Sequence, residues 1–176
     1  MKRIGMVFFS LLIFLSFGAS FVNAQFFEAG VQELRVPVEA PDFTLRVLND
    51  GTMSLREAKG KIILLTFIKD WCPICRKDAS SFDKLAKSTK DKGVVFLIVA
   101  VKWREKDLLE FKKEFNFSTP ILLDENGSVA KAYKVSGHPE SFFINRQEKI
   151  IAKTFVEKDW KSTSMRKLIR HLSAAK

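Results

Sequence analysis

The sequence predicts an α/β domain in which a central mixed β-sheet is flanked by helices, and three observations support this fold class. Residues 62–68 and 94–101 are apolar runs of strand length, which are typical of strands buried on both faces of a sheet. Each run is followed by a segment with apolar residues at helical spacing, which predicts parallel strands joined by helices. Residues 141–145 and 150–156 flank a polar turn, and this pattern predicts an antiparallel strand pair at one edge.

The remaining elements are predicted in chain order. Residues 25–40 form an extended lead-in, and Asn49-Asp50-Gly51 indicates a hairpin between residues 43–48 and 52–55. The predicted helices begin after Trp71, then cover residues 104–115, 128–135 and 159–172, and a further strand covers 119–123. Asp159 is the candidate N-cap of the last helix. No repeat or linker divides residues 41–176, which are predicted to be one domain.

Residues 1–24 are predicted to be a signal peptide or an N-terminal membrane anchor. Lys2 and Arg3 precede a long apolar stretch, and Val22-Asn23-Ala24 supplies small residues for cleavage before Gln25. Residues 4–22 carry no charge and are long enough to span a bilayer, so membrane association through an uncleaved anchor is the alternative. Either interpretation predicts an exported protein, in the periplasm or at the outer face of the cytoplasmic membrane, where disulfides persist.

Composition excludes some classes of protein. Hydrophobic residues make up 47% of the 176 residues, which excludes a disordered chain. The formal net charge is +10, but the lysines are scattered and interleaved with acids, as in residues 102–107. Without a basic stripe or a reading motif, no nucleic-acid partner is expected. Attraction to anionic lipid or to an acidic partner stays open.

Both cysteines of the chain lie in Trp71-Cys72-Pro73-Ile74-Cys75, three residues apart at a predicted helix start. Unpaired N–H groups and the helix dipole favour a thiolate there, and a second nearby thiol resolves a mixed disulfide. A permanent disulfide closing so short a loop would contribute only about 2 kcal/mol. A metal site using His138 lacks a ligand-spacing signature. We therefore expect a redox-active disulfide, with no metal and no other cofactor.

The chain resembles the exported TlpA/ResA-like thiol–disulfide oxidoreductases of the thioredoxin superfamily, which are related to the AhpC/TSA redoxins. The resemblance covers residues 40–172. It rests on Ala40-Pro41-Asp42-Phe43-Thr44-Leu45, Gly60-Lys61, the Trp71–Arg76 motif, Ala132-Tyr133-Lys134-Val135, Gly137-His138-Pro139, Phe142-Phe143-Ile144-Asn145 and Asp159-Trp160. It implies a thioredoxin-like fold with an N-terminal β-hairpin extension. It also implies that Cys72 attacks, that Cys75 resolves, and that Pro139 is a cis-proline facing the pair.

Asp78 is the candidate proton-exchanging residue. It lies one helical turn after Cys75 on the apolar side of the predicted helix, where desolvation would raise its pKa toward neutrality. The resemblance implies a glutamate with such a role at this position. The alternative is a carboxylate at the rim, paired with Lys77 or Lys84. Thr66, where ordinary thioredoxins carry a buried acid, is interpreted as a packing residue.

Further residues are candidates for substrate contact or redox tuning. A protonated His138 facing Cys72 would stabilise the thiolate, and Glu140 would oppose that field; an exposed loop histidine is the alternative. Trp71 is interpreted as an aromatic that shields the disulfide and contacts partners. Pro73 and Ile74 shape the dithiol loop and donate no protons.

The resemblance implies a reductase of cysteine-containing protein substrates, for example in cytochrome c or copper-site maturation, supplied with electrons by a membrane thiol protein. Three alternatives remain open. They are a disulfide-forming oxidase, a peroxidase, and a non-catalytic copper- or zinc-binding module. The peroxidase is disfavoured because Lys69 stands where peroxiredoxins need a threonine, three residues before the nucleophile.

Overall fold

The computed structural model of the chain describes residues 24–89, 93–155 and 157–174, and these residues form one mixed sheet of eight strands with helices on its faces. The strands are β1 (Gln32–Glu39), β2 (Thr44–Val47), β3 (Asp50–Ser54), β4 (Ile62–Ile68), β5 (Val94–Val101), β6 (Ile121–Asp124), β7 (Glu140–Ile144) and β8 (Lys149–Thr154). Their order across the sheet is β1-β8-β7-β4-β5-β6-β2-β3. The predicted fold class is confirmed.

The helices are α1 (Pro73–Ser88), α2 (Glu105–Phe115), α3 (Ser128–Ala132) and α4 (Thr163–Ala174), with a 3-10 turn at Leu55–Ala58. The central strands β4, β5 and β6 run parallel, and β7 pairs antiparallel with the other edge of β4. The predicted hairpin extension is β2 and β3, which joins the sheet through β6.

The core lies on both faces of β4, and all seven residues of that strand are buried. Successive side chains of a strand point to opposite faces. Leu64 and Ile68 accordingly pack with the apolar faces of α1, α2 and α4, whereas Leu65 and Phe67 pack with α3 and the hairpin. Each such side chain stabilises the fold by about 1.5–3 kcal/mol. This packing fixes the carboxyl end of β4, from which the chain enters the cysteine motif.

One sequence prediction about local structure is wrong in part and a second is wrong. Within the predicted extended lead-in over residues 25–40, the first residues belong to a helical turn over 24–28, whereas β1 is extended and pairs antiparallel with β8. Asp159 is not the N-cap of the last helix, which begins at Thr163. The hydroxyl of Ser162 accepts the N–H of Met165 there, while Asp159 accepts the N–H of Lys161 in a turn upstream.

The predicted signal peptide or membrane anchor covers residues 1–24, and of these only Ala24 is among the described residues. Among the residues that are described, no helix is both long enough and apolar enough to cross a bilayer.

Candidate active site

The two cysteines form a disulfide at the start of α1. Cys72 is the N-cap residue, and Pro73 takes the first helical position, where a missing N–H leaves no hydrogen bond unmade. The backbone N–H of Cys75 donates to Sγ of Cys72 at 3.1 Å, and Cys75 itself is fully buried. After reduction, this N–H and the helix N-terminus stabilise a thiolate on Cys72. Of the two sulfurs, Cys72 is therefore the one on which the helix start favours a thiolate.

The loop before β7 faces this pair. The His138–Pro139 peptide bond is cis, as the resemblance implied. The carbonyl oxygen of His138 lies 3.4 Å from Sγ of Cys72, where it accepts the S–H of the reduced cysteine. The loop thus brings a backbone acceptor to the reactive sulfur.

The rim of the site is apolar and exposed. Trp71 is 68% exposed and Ile74 is 51% exposed, whereas the sulfur-bearing Cys72 is only 4% exposed. The Trp71 ring lies edge-on to the His138 ring at 6.3 Å, and the Lys69 ammonium lies 5.6 Å from the Trp71 ring centroid. Exposed apolar side chains of this size commonly mark protein-interaction sites.

Asp78 lies beneath the pair and is 1% exposed, so it is not a rim carboxylate paired with Lys77 or Lys84. Its Oδ1 accepts the backbone N–H of Lys158 at 2.8 Å and the indole N–H of Trp160 at 2.9 Å. Its Oδ2 is buried and has no hydrogen-bond partner among the described residues. Burial raises the pKa of Asp78 to about 6, although both hydrogen bonds lower it. The carboxyl group can therefore take or release a proton near neutral pH.

The His138 ring does not supply the cation that the sequence suggested. Burial lowers its pKa, the nearby Lys69 charge lowers it further, and Glu140 opposes both only weakly. The imidazole is therefore neutral at pH 7, and the carbonyl group rather than the ring lies against Cys72.

Glu140 follows the cis bond and is fully buried. Its Oε2 accepts the backbone N–H of Ser136 at 2.8 Å and the Ser136 hydroxyl at 3.3 Å. Its Oε1 lies 3.7 Å from the Lys153 ammonium, which compensates the buried charge. Glu140 therefore ties the start of the loop to its end.

Sequence reasoning missed three contributors to this site: Trp160, the backbone of Lys158, and Ser136. The Asp159-Trp160 pair within the resemblance is the one available signal for Trp160. Thr66 is buried as predicted, and its hydroxyl accepts that of Ser141 at 2.8 Å. Within the described part of the chain, no cluster of three or more His, Cys, Asp or Glu side chains could hold a metal ion.

A dithiol recessed at a helix start, opposite a cis-proline loop and above a buried acid, is the arrangement of a thiol–disulfide oxidoreductase built on the thioredoxin fold. The sequence profile of the AhpC/TSA family matches residues 36–153. The chain belongs to this family, and within it to the ResA/TlpA-like members of the thioredoxin superfamily.

Named relatives agree with this assignment. The chain is 30% identical over 141 residues to the thiol-disulfide oxidoreductase ResA of Bacillus subtilis, covering 80% of this chain and 78% of that protein. It is 34% identical over 122 residues to the thioredoxin-like protein YneN of the same organism, covering 68% and 69%. A DsbE-type thiol:disulfide interchange protein from Chlorobium tepidum superposes with a TM-score of 0.73 at 23% identity, covering 80% and 99% of the two chains, which shows the shared fold.

Proposed function

We propose that this thiol–disulfide oxidoreductase is exported and acts outside the cytoplasm as a reductase of disulfides in protein substrates. The observation that carries the direction is the buried carboxyl group of Asp78, one helical turn after Cys75, whose hydrogen bonds bring no cation to it. An ionised carboxylate there opposes a second negative charge on the dithiol. This favours the disulfide over the reduced thiolate and makes the dithiol the stronger reductant.

The residues of the dithiol loop support the same direction. Strong oxidants stabilise their reduced thiolate with positive charge. Pro73 and Ile74 bring no charge, and burial keeps the His138 imidazole neutral at pH 7. The thiolate of Cys72 is still stabilised by the helix N-terminus and by the N–H of Cys75. These two interactions activate it as a nucleophile without a cation from the loop.

The reaction runs in two exchanges. The Cys72 thiolate attacks one sulfur of the substrate disulfide, forms a mixed disulfide with it, and releases the other substrate sulfur as a thiolate. Cys75 then passes its proton toward Asp78 and attacks Sγ of Cys72, which releases the second substrate thiolate and forms the Cys72–Cys75 disulfide. Substrate gains two electrons and the protein loses two, so each cycle needs two electrons from an upstream dithiol.

The partners follow from this balance and from the family. We propose that a membrane thiol protein supplies the electrons, and that the substrates are cysteine-containing proteins such as apocytochrome c or copper-site proteins. The exposed Trp71 and Ile74 would contact such substrates, and the backbone around Pro139 would align their extended chain beside Cys72.

The reduction potential of the Cys72–Cys75 couple, measured together with the pH titration of Cys72, tests the direction. A reductase is expected near the thioredoxin value of about −270 mV, whereas a potential near about −120 mV would make the protein an oxidase and overturn the proposal.

Mixed-disulfide trapping tests the assigned roles of the two sulfurs. The Cys75→Ser variant should trap a mixed disulfide with insulin, because its Cys72 attacks an insulin disulfide and no second cysteine resolves the product. The Cys72→Ser variant should trap none. Trapping by both variants, or by neither, would contradict the roles given to the two cysteines.

A further inference from the structure

A groove of about 630 Å³ lies beside the cysteine motif, between α1 and residues 157–161. One wall is a stripe of α1 residues at helical spacing: Pro73, Arg76, Lys77, Ser80, Ser81 and Lys84. The opposite wall consists of Glu157, Lys158, Asp159 and Lys161. Pro73, which lines one end of the groove, directly follows Cys72, so the groove runs away from the cysteine motif along the helix.

The groove is held in shape by the site described above. The backbone N–H of Lys158 donates to Oδ1 of Asp78, and the Ser81 hydroxyl shares its one hydrogen between the carbonyl oxygens of Asp78 at 3.0 Å and Lys158 at 3.3 Å. The buried Trp160 donates to the same Oδ1 of Asp78. The wall over residues 157–161 is therefore fastened to α1 by three hydrogen bonds.

The groove carries an excess of positive charge. Five cations line it, Arg76, Lys77, Lys84, Lys158 and Lys161, against the two carboxylates of Glu157 and Asp159, and Arg76 is itself paired with Glu114 of α2 at 3.2 Å. Glu157 is already paired with Lys77 at 2.6 Å, and Asp159 accepts the N–H of Lys161. Among the residues that the structure describes, no carboxylate lies within 4.0 Å of the Lys84, Lys158 or Lys161 ammonium groups.

We propose that this groove, which we call the basic groove, binds an acidic segment of the protein substrate while the substrate cysteine lies at Cys72. The inference rests on the proposed function and names the substrate class for it. From Pro73 to Lys84 the helix rises about 16 Å at 1.5 Å per residue. At about 3.3 Å per extended residue this length accommodates about five residues. The acidic side chains are therefore expected within about five positions of the reacting cysteine.

A protein segment fits the basic groove better than a lipid surface. The groove is concave and has cations on both walls, which suits a chain lying in it rather than a flat layer of headgroups. Trp71 and Ile74, which flank Cys72 and Pro73 in the chain, offer exposed apolar contacts to a protein next to the groove's Pro73 end. Cationic and apolar contacts on the same substrate would then orient its cysteine.

Synthetic cysteine peptides joined by a mixed disulfide to thionitrobenzoate provide the test. The Cys72 thiolate attacks the peptide sulfur and releases thionitrobenzoate, whose absorbance gives the rate, and Cys75 then frees the peptide thiol. One probe carries four glutamates in the five positions beside its cysteine, a second carries glutamines there, and a third carries glutamates ten positions away. The adjacent glutamates should raise the second-order rate constant roughly tenfold at low salt, and high salt should remove the gain.

Charge reversals locate the effect. The Lys84→Glu/Lys161→Glu variant should lose the preference for adjacent glutamates, with its rate on the glutamine probe unchanged. A matched control, Lys106→Glu/Lys131→Glu, changes two exposed helical lysines outside the groove by the same net charge and should keep most of the preference. If both variants lose the preference equally, or if remote glutamates raise the rate as much as adjacent ones, the preference is a general effect of net charge and the inference is overturned.

The remaining outcomes separate this inference from the proposed function. If the reduced wild-type protein does not react with the glutamine probe, the proposed reductase fails irrespective of the groove. If it reacts but shows no acidic preference, only the basic groove inference fails. A third outcome is that the wild-type protein sediments with phosphatidylglycerol vesicles, the groove variant does not, and neither prefers acidic peptides. This outcome would assign the lysines to a membrane surface and would also overturn the basic groove inference.

Discussion

The Asp78→Asn variant tests the raised pKa of the buried acid. In the unfolded chain the carboxyl group titrates at its ordinary value of 3.8, and in the folded protein at about 6. Between these values the unfolded state releases a proton that the folded state keeps, so wild-type stability falls as pH rises. At roughly 1.36 kcal/mol per pKa unit, the loss approaches about 3 kcal/mol above pH 7. Because the side chain is 1% exposed, solvent screening does not reduce this figure substantially.

Asparagine has the same shape and removes the titration. Its Oδ1 keeps the bonds from Lys158 and Trp160, while its amide group takes the place of the unpartnered Oδ2 and costs about 1–3 kcal/mol at every pH. The informative quantity is therefore the difference in unfolding free energy between the variant and wild type as a function of pH. We expect this difference to shift in favour of the variant by about 2.4 kcal/mol from pH 4 to pH 7.5, since the unfolded carboxyl group is already about half ionised at pH 4.

Urea unfolding of the oxidised proteins at several pH values measures this difference without titrating cysteines. Asp83→Asn is the matched control on the same helix. Burial raises the pKa of Asp83, but bonds from Lys87, Thr119 and Ser118 outweigh it and hold the pKa below its ordinary value. That group stabilises the fold above its unfolded pKa and loses the contribution as pH falls, so the control difference should have the opposite sign. A pH-independent difference for Asp78→Asn would refute the raised pKa.

Three further predictions concern neighbouring groups. Asp83→Ala should lower the free energy of unfolding in urea by about 2–4 kcal/mol, since the carboxylate accepts four hydrogen bonds from the loop before β6. Lys87→Ala should lower it by under about 1 kcal/mol, because that ammonium group is half exposed. Equal losses in the two variants would contradict this difference. Glu140→Ala should change the reduction potential by freeing Ser136, and Glu140→Gln should restore most of it; unchanged potentials in both would exclude a tuning role. The ring of His138 should titrate below pH 6.5 by proton NMR, and a midpoint at or above that value would contradict its neutrality at pH 7.

The sequence predicts the centre of this fold better than its edges, for a physical reason. All seven residues of β4 are apolar or small and buried on both sides, which leaves a continuous signal in the chain. The strand β1 leaves none, because it joins the edge through backbone bonds to β8 while nearly all its side chains stay exposed. Edge pairing by backbone groups alone places little constraint on residue type.

The start of α4 shows a different limit. Asp159 and Ser162 are both good N-cap residues, so local preference does not decide between them. The start of the helix depends instead on Asp78, which lies 82 residues before Trp160 in the chain. Its carboxylate accepts N–H groups of Lys158 and Trp160 and so holds the segment before the helix in place. The burial of Asp78 could be predicted from its helical face, but these partners could not, because no local pattern reports a contact of that range.

Asp78 connects the chemistry of the site with the shape of the surface beside it. The oxygen that accepts Lys158 and Trp160 holds the wall over residues 157–161, whereas the other oxygen has no hydrogen-bond partner among the described residues and is available for the proton exchange that we propose with Cys75. Bonds from neutral N–H groups favour the ionised carboxylate, so protonation weakens the fastening of that wall while it relieves the charge that opposes the dithiol. The reduction potential and the affinity of the basic groove for an acidic peptide should therefore change together with pH around 6. The reduction potential of any dithiol falls with pH because reduction takes up two protons, so the Asp78→Asn variant should lose only the added inflection near pH 6, together with the pH dependence of the groove affinity. Loss of only one would show that the carboxyl group acts on the dithiol and the groove separately.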